Sequence, residues 1–244
     1  MNFAFKSRYN IGDLLEIVSL LRSENGCPWD KIQTHKTIRN DLLEECYEAV
    51  EAIDTDNPVL LREELGDVLL QVVFHSSLEE DAKRFDFDDV ANDICVKLIN
   101  RHPHVFGNVT ADTPEEVLKN WDSIKRAEKS QKSAVETLEA VSPALPALMR
   151  AEKVFKRVNR AGLSRDKDII IDNIDELFDE LSDITSTKDT NLGENEAIIG
   201  EILLNICELC VFYKIFPEQL LTEALKRFII DFGQVGKDNP ENLT

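Results

Sequence analysis

Two carboxylate sets, Glu44-Glu45-x-x-Glu48 and Glu64-x-x-Asp67, are the residues of this chain most suited to chemistry. On a helix, positions three apart share a face. Glu45 and Glu48 therefore project together, as do Glu64 and Asp67. Set opposite one another on antiparallel helices, they gather four carboxylates around one small volume. Like charges that close cannot all stay ionised without a cation. An oxygen-only donor set without Cys or His suits Mg²⁺ or Mn²⁺, which retain waters and meet substrate phosphates. The ordinary fate of any one such Glu is a solvated helix face. Here both sets are embedded in apolar sequence, with Leu42, Leu43, Tyr47, Val50 and Ile53 around the first and Leu65, Val68, Leu69, Val72 and Val73 around the second. Acidic groups entering a buried helix need a partner. Gly66, between Glu64 and Asp67, lowers helix propensity, and predicts close approach of another helix or of a ligand.

A phosphate-binding element has a candidate in Lys97-x-x-x-Arg101, whose i,i+4 spacing puts both cations on one helix face. Lysine offers a point charge and arginine a bidentate fork. The plainer reading is two cations complementing a helix C-terminus. Trp29 and Trp121, the only tryptophans, either stack on a base or anchor the core. Gln33 and Thr34 carry an amide and a hydroxyl able to read a base edge. His102-Pro103-His104 reads as a helix stop rather than a ligand pair, and His35 and His75 as isolated structural residues. Cys207-x-x-Cys210 reads as two small buried hydrophobes.

The elements that position these groups are helical nearly throughout, with almost no strand-like alternation. Helices are expected over about residues 11–24, 34–53, 58–82, 86–102 and from 114 onward, then near 146–160, 168–186, 194–214 and 217–233. The fold class is all-α. A Ser- and Pro-bearing stretch divides it into an N-terminal catalytic domain, 1–130, a linker, 131–145, a C-terminal domain, 146–236, and a tail, 237–244. The halves read as diverged repeats: Leu65-Gly66-Asp67-Val68-Leu69-Leu70 matches Ile199-Gly200-Glu201-Ile202-Leu203-Leu204. In that alignment Glu45, Glu48, Glu64 and Asp67 become Asn173, Glu176, Ile198 and Glu201, and Lys97 and Arg101 become Arg227 and Asp231. The metal feature and the phosphate feature are lost together, so the second copy keeps the packing and loses the site.

A net charge of −19 excludes a general nucleic-acid binder. No run of about eighteen apolar residues predicts a membrane span. Five cysteines without framework spacing point to a reducing cytoplasm.

The carboxylate motifs resemble the signature of the MazG family of nucleoside triphosphate pyrophosphohydrolases. The likeness extends to Asn25-Gly26-Cys27-Pro28-Trp29-Asp30, Gln33-Thr34, Gly66 to Phe74, Arg84-Phe85-Asp86-Phe87, Arg101 to Phe106 and Trp121-x-x-Ile124-Lys125. It is close over about residues 11–129, crosses the linker at Leu145 to Ala151, and beyond about 165 reduces to a shared pattern of helices. The resemblance implies a tandem all-α homodimer that converts nucleoside triphosphates to monophosphate and pyrophosphate. It implies Glu45, Glu48, Glu64 and Asp67 as metal ligands, Lys97 and Arg101 as phosphate-binding catalytic groups, and Glu44 as a catalytic residue that orients water. It places Trp121 and Lys125 at the nucleotide, beside Trp29 and Gln33. The family often carries a second intact motif set in its C-terminal domain. This chain departs from that at Asn173, Ile198 and Asp231, so activity must come from the first domain. One alternative is a non-catalytic helical nucleotide- or metal-binding or interaction protein with a residual site. Another, a di-iron bundle, lacks the Glu-x-x-His pairs it needs.

Overall fold

A computed structural model describes residues 3–128, 133–186 and 192–238. Among the described residues every regular element is helical, in agreement with the all-α expectation. The chain divides into two compact units, Met1–Lys125 and Arg126–Thr244.

The first unit begins with α1 (Ile11–Arg22), started by a capping box in which Asn10 and Asp13 each accept from the other's backbone N–H. Its exit is tight. Cys27 N–H donates to Leu21 O at 2.7 Å, and a Cβ at Gly26 would lie 2.2 Å from that same oxygen. Only glycine fits there. A single 3₁₀ turn, Asp30–Ile32, follows. The antiparallel hairpin of α2 (Arg39–Asp54) and α3 (Pro58–Asp81) comes next. Asn57 caps α3 with Pro58 in the first turn. The second helix starts at Arg39 rather than near Thr34. Thr37 Oγ1 donates to Gln33 Oε1 at 2.7 Å and Thr34 N–H donates to Thr37 Oγ1 at 2.9 Å, so side chains hold residues 33–37 in a turn that competes with helix. Asp86 and Asp89 form a second capping box for α4 (Phe87–Arg101). Pro103 then opens a four-residue helix, α5 (Pro103–Phe106), and α6 (Pro114–Glu128) completes the series.

At 24 residues, or about 36 Å, α3 is the spine of this unit. It packs against α1, α2 and α4. The core joins Val18, Ile38, Val73 and Phe74, with Leu14, Leu15, Leu70, Leu78 and Phe87 against it. The apolar run of α3 is not buried on all sides. Val73 and Phe74 face inward, whereas Leu65 and Leu69 are exposed. A Cβ at Gly66 would meet nothing within 4 Å. Among the described residues, therefore, no helix approaches Gly66, which leaves the first of the two expected explanations, a neighbouring helix, without support.

The second unit contains α7 (Ala134–Glu139), α8 (Ala147–Arg160), α9 (Lys167–Ser186), α10 (Leu192–Phe212) and α11 (Pro217–Asp238). The stretch expected to be linker thus holds a helix, started by Ser133 accepting from Glu136 N–H. It is tied to α8 by Arg157 donating to Thr137 O, and Val141 just beyond it is fully buried. The central α10 packs on α8 and α9. Its Ile198, Ile202, Cys207, Cys210 and Val211 are buried. Burial pushes the Cys207 thiol up to about 11, which fits two hydrophobes better than a redox pair.

One polar contact cluster ties the 33–37 turn to α3. His35 and His75 stack at 5.0 Å between centroids, with their Nδ1 atoms 2.7 Å apart. His35 Nε2 lies 2.6 Å from Glu79 Oε1, and Arg84 donates to both Glu79 oxygens. Hydrogen bonds from Arg84, with help from His35, hold the Glu79 carboxyl at about 2, below its ordinary 4.5, against the opposite pull of burial. A depressed carboxylate pKa means stability that is present above the unfolded value and lost as pH falls through the folded one. Glu79→Gln is expected to destabilise the protein at pH 7. Its deficit against the wild type should shrink as pH falls from about 4.5 toward about 2. Urea midpoints across that window test this, and a deficit that stays constant with pH would contradict it.

Candidate functional site

The facing sides of α2 and α3 bring three of the four sequence-predicted carboxylates together. One oxygen each from Glu45, Glu48 and Glu64 lies within 4.8 Å of the other two. This is the one cluster of that kind among the described residues. Helical periodicity puts Glu45 and Glu48 on one face of α2, and Glu64 and Asp67 on one face of α3. Glu64 is 7% exposed, Glu45 is half-buried and Glu48 is exposed. Asp67 is half-buried and outside the 4.8 Å group. It is still close enough to act on both neighbours. Desolvation, then Asp67, Glu48, Glu44 and Asp41 in turn, raise the Glu45 carboxyl above its ordinary range. Desolvation, repulsion from Glu48 and a hydrogen bond with Glu48 raise Glu64, with Asp67 and Glu45 adding to it.

This donor set fits a hard divalent cation. All its atoms are carboxylate oxygens, spaced as neighbours around one ion, and the groups suffer without positive charge.

The phosphate candidates lie on α4. Lys97 is exposed. The Arg101 guanidinium lies 5.7 Å from the ring centroid of Trp121 on α6, a cation–π distance. Glu44 is exposed on α2, one residue off the clustered face. Trp29, 56% exposed, stands at the 3₁₀ turn. Gln33 is buried and used at both ends: Nε2 donates to Trp29 O at 2.9 Å and Oε1 accepts from Thr37. Its visible work is to shape the turn. The Lys125 side chain lies outside the described residues. His102 Nδ1 sits 2.6 Å from Leu98 O and finishes α4, as a helix stop should.

The corresponding region of the second unit is built differently. Glu176 and Glu201 are exposed and Ile198 is buried. Between α9 and α10, Arg165 donates through Nε to Glu208 Oε2 at 3.0 Å and through a terminal nitrogen to Asn205 Oδ1 at 2.7 Å. Asn173 Nδ2 donates to the same Asn205 oxygen at 3.0 Å, and Asn205 Nδ2 donates to Glu201 O at 2.7 Å. A guanidinium from the chain fills this seam. Sequence reading missed it, because Arg165 and Glu208 are far apart and neither stands in a motif. His35 and His75 were missed for the same reason.

A family model described as the MazG nucleotide pyrophosphohydrolase domain matches residues 33–106, which span the α2–α3 hairpin and α4. The chain is 38% identical over 224 residues to a Thermotoga maritima protein named nucleoside triphosphate pyrophosphohydrolase/pyrophosphatase MazG, covering 91% of this chain and 84% of that one. To the nucleoside triphosphate pyrophosphohydrolase of Escherichia coli strain K12 it is 38% identical over 227 residues, 92% and 86% of the two chains. An uncharacterized Bacillus subtilis protein, YabN, is 40% identical over 219 residues, 90% of this chain and 45% of its own. The fold and the hairpin are those of an all-α nucleotide pyrophosphohydrolase. The chain belongs to the MazG family.

Crowded carboxylates make the metal-free hairpin sensitive to cations. Their raised pKa values mean that stability is present at low pH and lost as pH rises through the folded values. At pH 7 a saturating divalent cation should raise the Tm by about 5 °C or more. Glu48→Gln should raise the metal-free Tm slightly, by removing repulsion, and abolish the gain from added metal. Scanning calorimetry with and without Mg²⁺ measures both, and a full gain retained by the variant would remove Glu48 from the ligand set.

Proposed function

We propose that this protein hydrolyses nucleoside triphosphates to monophosphate and pyrophosphate, with Mg²⁺ held by Glu45, Glu48, Glu64 and Asp67 in the first unit. The observation that carries this reading is the trio of carboxylate oxygens within 4.8 Å of one another. The pyrophosphohydrolase names of the Thermotoga and Escherichia relatives support the reaction. When bound, such an ion shields phosphate charge and lowers the pKa of an attached water. The remaining roles fall to side chains. Lys97 and Arg101 bind phosphate oxygens and stabilise the charge that develops on them. Trp121 orients Arg101 and flanks the nucleotide, and Glu44 orients the attacking water. Trp29 supplies a stacking surface. Manganese satisfies the same donor set.

We further infer that the second unit does not turn over substrate. In the aligned ligand set Ile198 offers no donor and Asn173 is engaged with Asn205, while the Arg165 network lies about one turn further along α10, on Asn205 and Glu208. The two units are then diverged repeats, one catalytic and one architectural.

A homodimer accounts for the surface. Leu43, Tyr47, Val50 and Ile53 of α2 and Leu65 and Leu69 of α3 are exposed, around a Gly66 with open space before it. In the second unit Gly200 is equally open, beside exposed Ile199, Leu203 and Leu204. A second copy of the chain covers such faces with matching apolar surface.

With Mg²⁺, monophosphate and pyrophosphate are the expected products across a nucleotide panel. Diphosphate and orthophosphate as the main products would sink the assignment. Glu48→Ala and Asp67→Ala should each lower kcat by at least about a hundredfold with the helical spectrum intact. Glu176→Ala and Glu201→Ala should stay within about twofold. Comparable losses from the second pair would move the active site to the other unit. Sedimentation equilibrium should give twice the chain mass, and a monomer at all concentrations would contradict the dimer.

A further inference from the structure

Gln71 follows Asp67 by four residues and Glu64 by seven on α3, so it shares their face, about 6 Å beyond Asp67. It is 8% exposed, and its Oε1 is fully buried without a hydrogen-bond partner. Buried side-chain oxygens are nearly always paired, and leaving one unmade is costly. The face is defined on either side of it. Toward the start of α3, Glu64 meets Glu45 and Glu48. Toward its end, His75 meets His35 in the turn before α2. Gln71 therefore stands between the carboxylates and the turn that carries His35.

The second unit supplies a comparison. Asn205 follows Ile198 by seven residues, as Gln71 follows Glu64. It too is buried, but its side-chain oxygen accepts from both Arg165 and Asn173. Where the carboxylate cluster is missing, the chain itself fills the acceptor. Where the cluster is present, the buried acceptor has no hydrogen-bond partner.

We propose that Gln71 is a nucleoside-binding residue, its side-chain oxygen accepting a hydrogen bond from an N–H or O–H of the bound nucleotide's sugar or base. This rests on the reading of the carboxylates as a triphosphate site. Phosphates held there put the nucleoside about one helical turn along this face of α3, where Gln71 lies. A neutral acceptor suits that place, since a carboxylate would repel the phosphates and an apolar group would strand the donor. Gln33, in the turn before α2, already has both ends engaged.

The test uses full-length Gln71→Leu and Gln71→Asn with Mg²⁺, on CTP against dCTP and on CTP against UTP. Gln71→Leu is expected to lower kcat/KM for the preferred nucleotide about tenfold, chiefly through KM, and to erase one of the two preferences. Loss of the ribose–deoxyribose preference assigns the donor to the sugar, and loss of the amino–keto preference assigns it to the base. Gln71→Asn, which keeps the amide on a shorter stem, should lose the same preference and serves if the leucine variant does not fold. Both preferences unchanged in a folded variant, whether the rate holds or falls uniformly, would overturn the proposal. Calorimetric binding of the same nucleotides as α,β-methylene analogues separates the two readings. A wild type that binds the analogues but releases no pyrophosphate from the parent triphosphates defeats the hydrolase reading alone. Equal Kd values for wild type and variants defeat the role of Gln71.

Discussion

Mutual repulsion among carboxylates on a packed helix pair is the constraint around which the first unit is arranged. Burying Glu45 and Glu64 and bringing them with Glu48 within 4.8 Å of one another raises the pKa of both, through desolvation first and repulsion second, and opposes folding. The opposing terms lie along the same long helix. Val73 and Phe74 anchor α3 to Val18 of α1 and Ile38 before α2. Farther on, Glu79 is held by Arg84 and His35. The helix is thus fastened at its middle and end, leaving its first turns to carry the unfavourable charges. A site that attracts a cation needs such a frame, because a looser hairpin would relieve the strain by separating.

Much of this was legible in the sequence, for identifiable reasons. Helix starts were visible where a cap and a periodic run coincide, as at Asn57-Pro58 and Asp86. The carboxylate pairs were visible because i,i+3 spacing is a local property. The start of α2 was misplaced because Gln33, Thr34 and Thr37 bond one another in a turn that helical periodicity does not register. The helix α7 was read as linker because serine and proline dominate its surroundings, although Ser133 is its cap. The His35–His75 pair and the Arg165–Asn205–Glu208 network were illegible. Their partners lie about forty residues apart, and only the antiparallel packing of the helices brings them together. The openness at Gly66 was illegible for another reason: a glycine in a helix says that something could come close, not that this chain supplies it.

The two units solve the same electrostatic problem in opposite ways. In one, three carboxylates crowd together and two of them have raised pKa values. In the other, the Glu208 carboxylate is paired with Arg165, with Asn173 and Asn205 beside it. A guanidinium in place satisfies the buried acceptors of Asn205 and Glu208.

The pinch at Gly26 has a consequence for how this protein can change over evolutionary time. The turn bearing Trp29, Gln33 and His35 is clamped at its entrance by a backbone contact that excludes any Cβ. At its far side it is clamped by the His35–Glu79 contact. A segment fixed at both ends tolerates neither insertion nor deletion, because either would pull one clamp apart. Diversification here is confined to exchange of side chains on a frozen backbone, so kindred proteins that share both clamps should differ along this segment in residue identity and agree in its length.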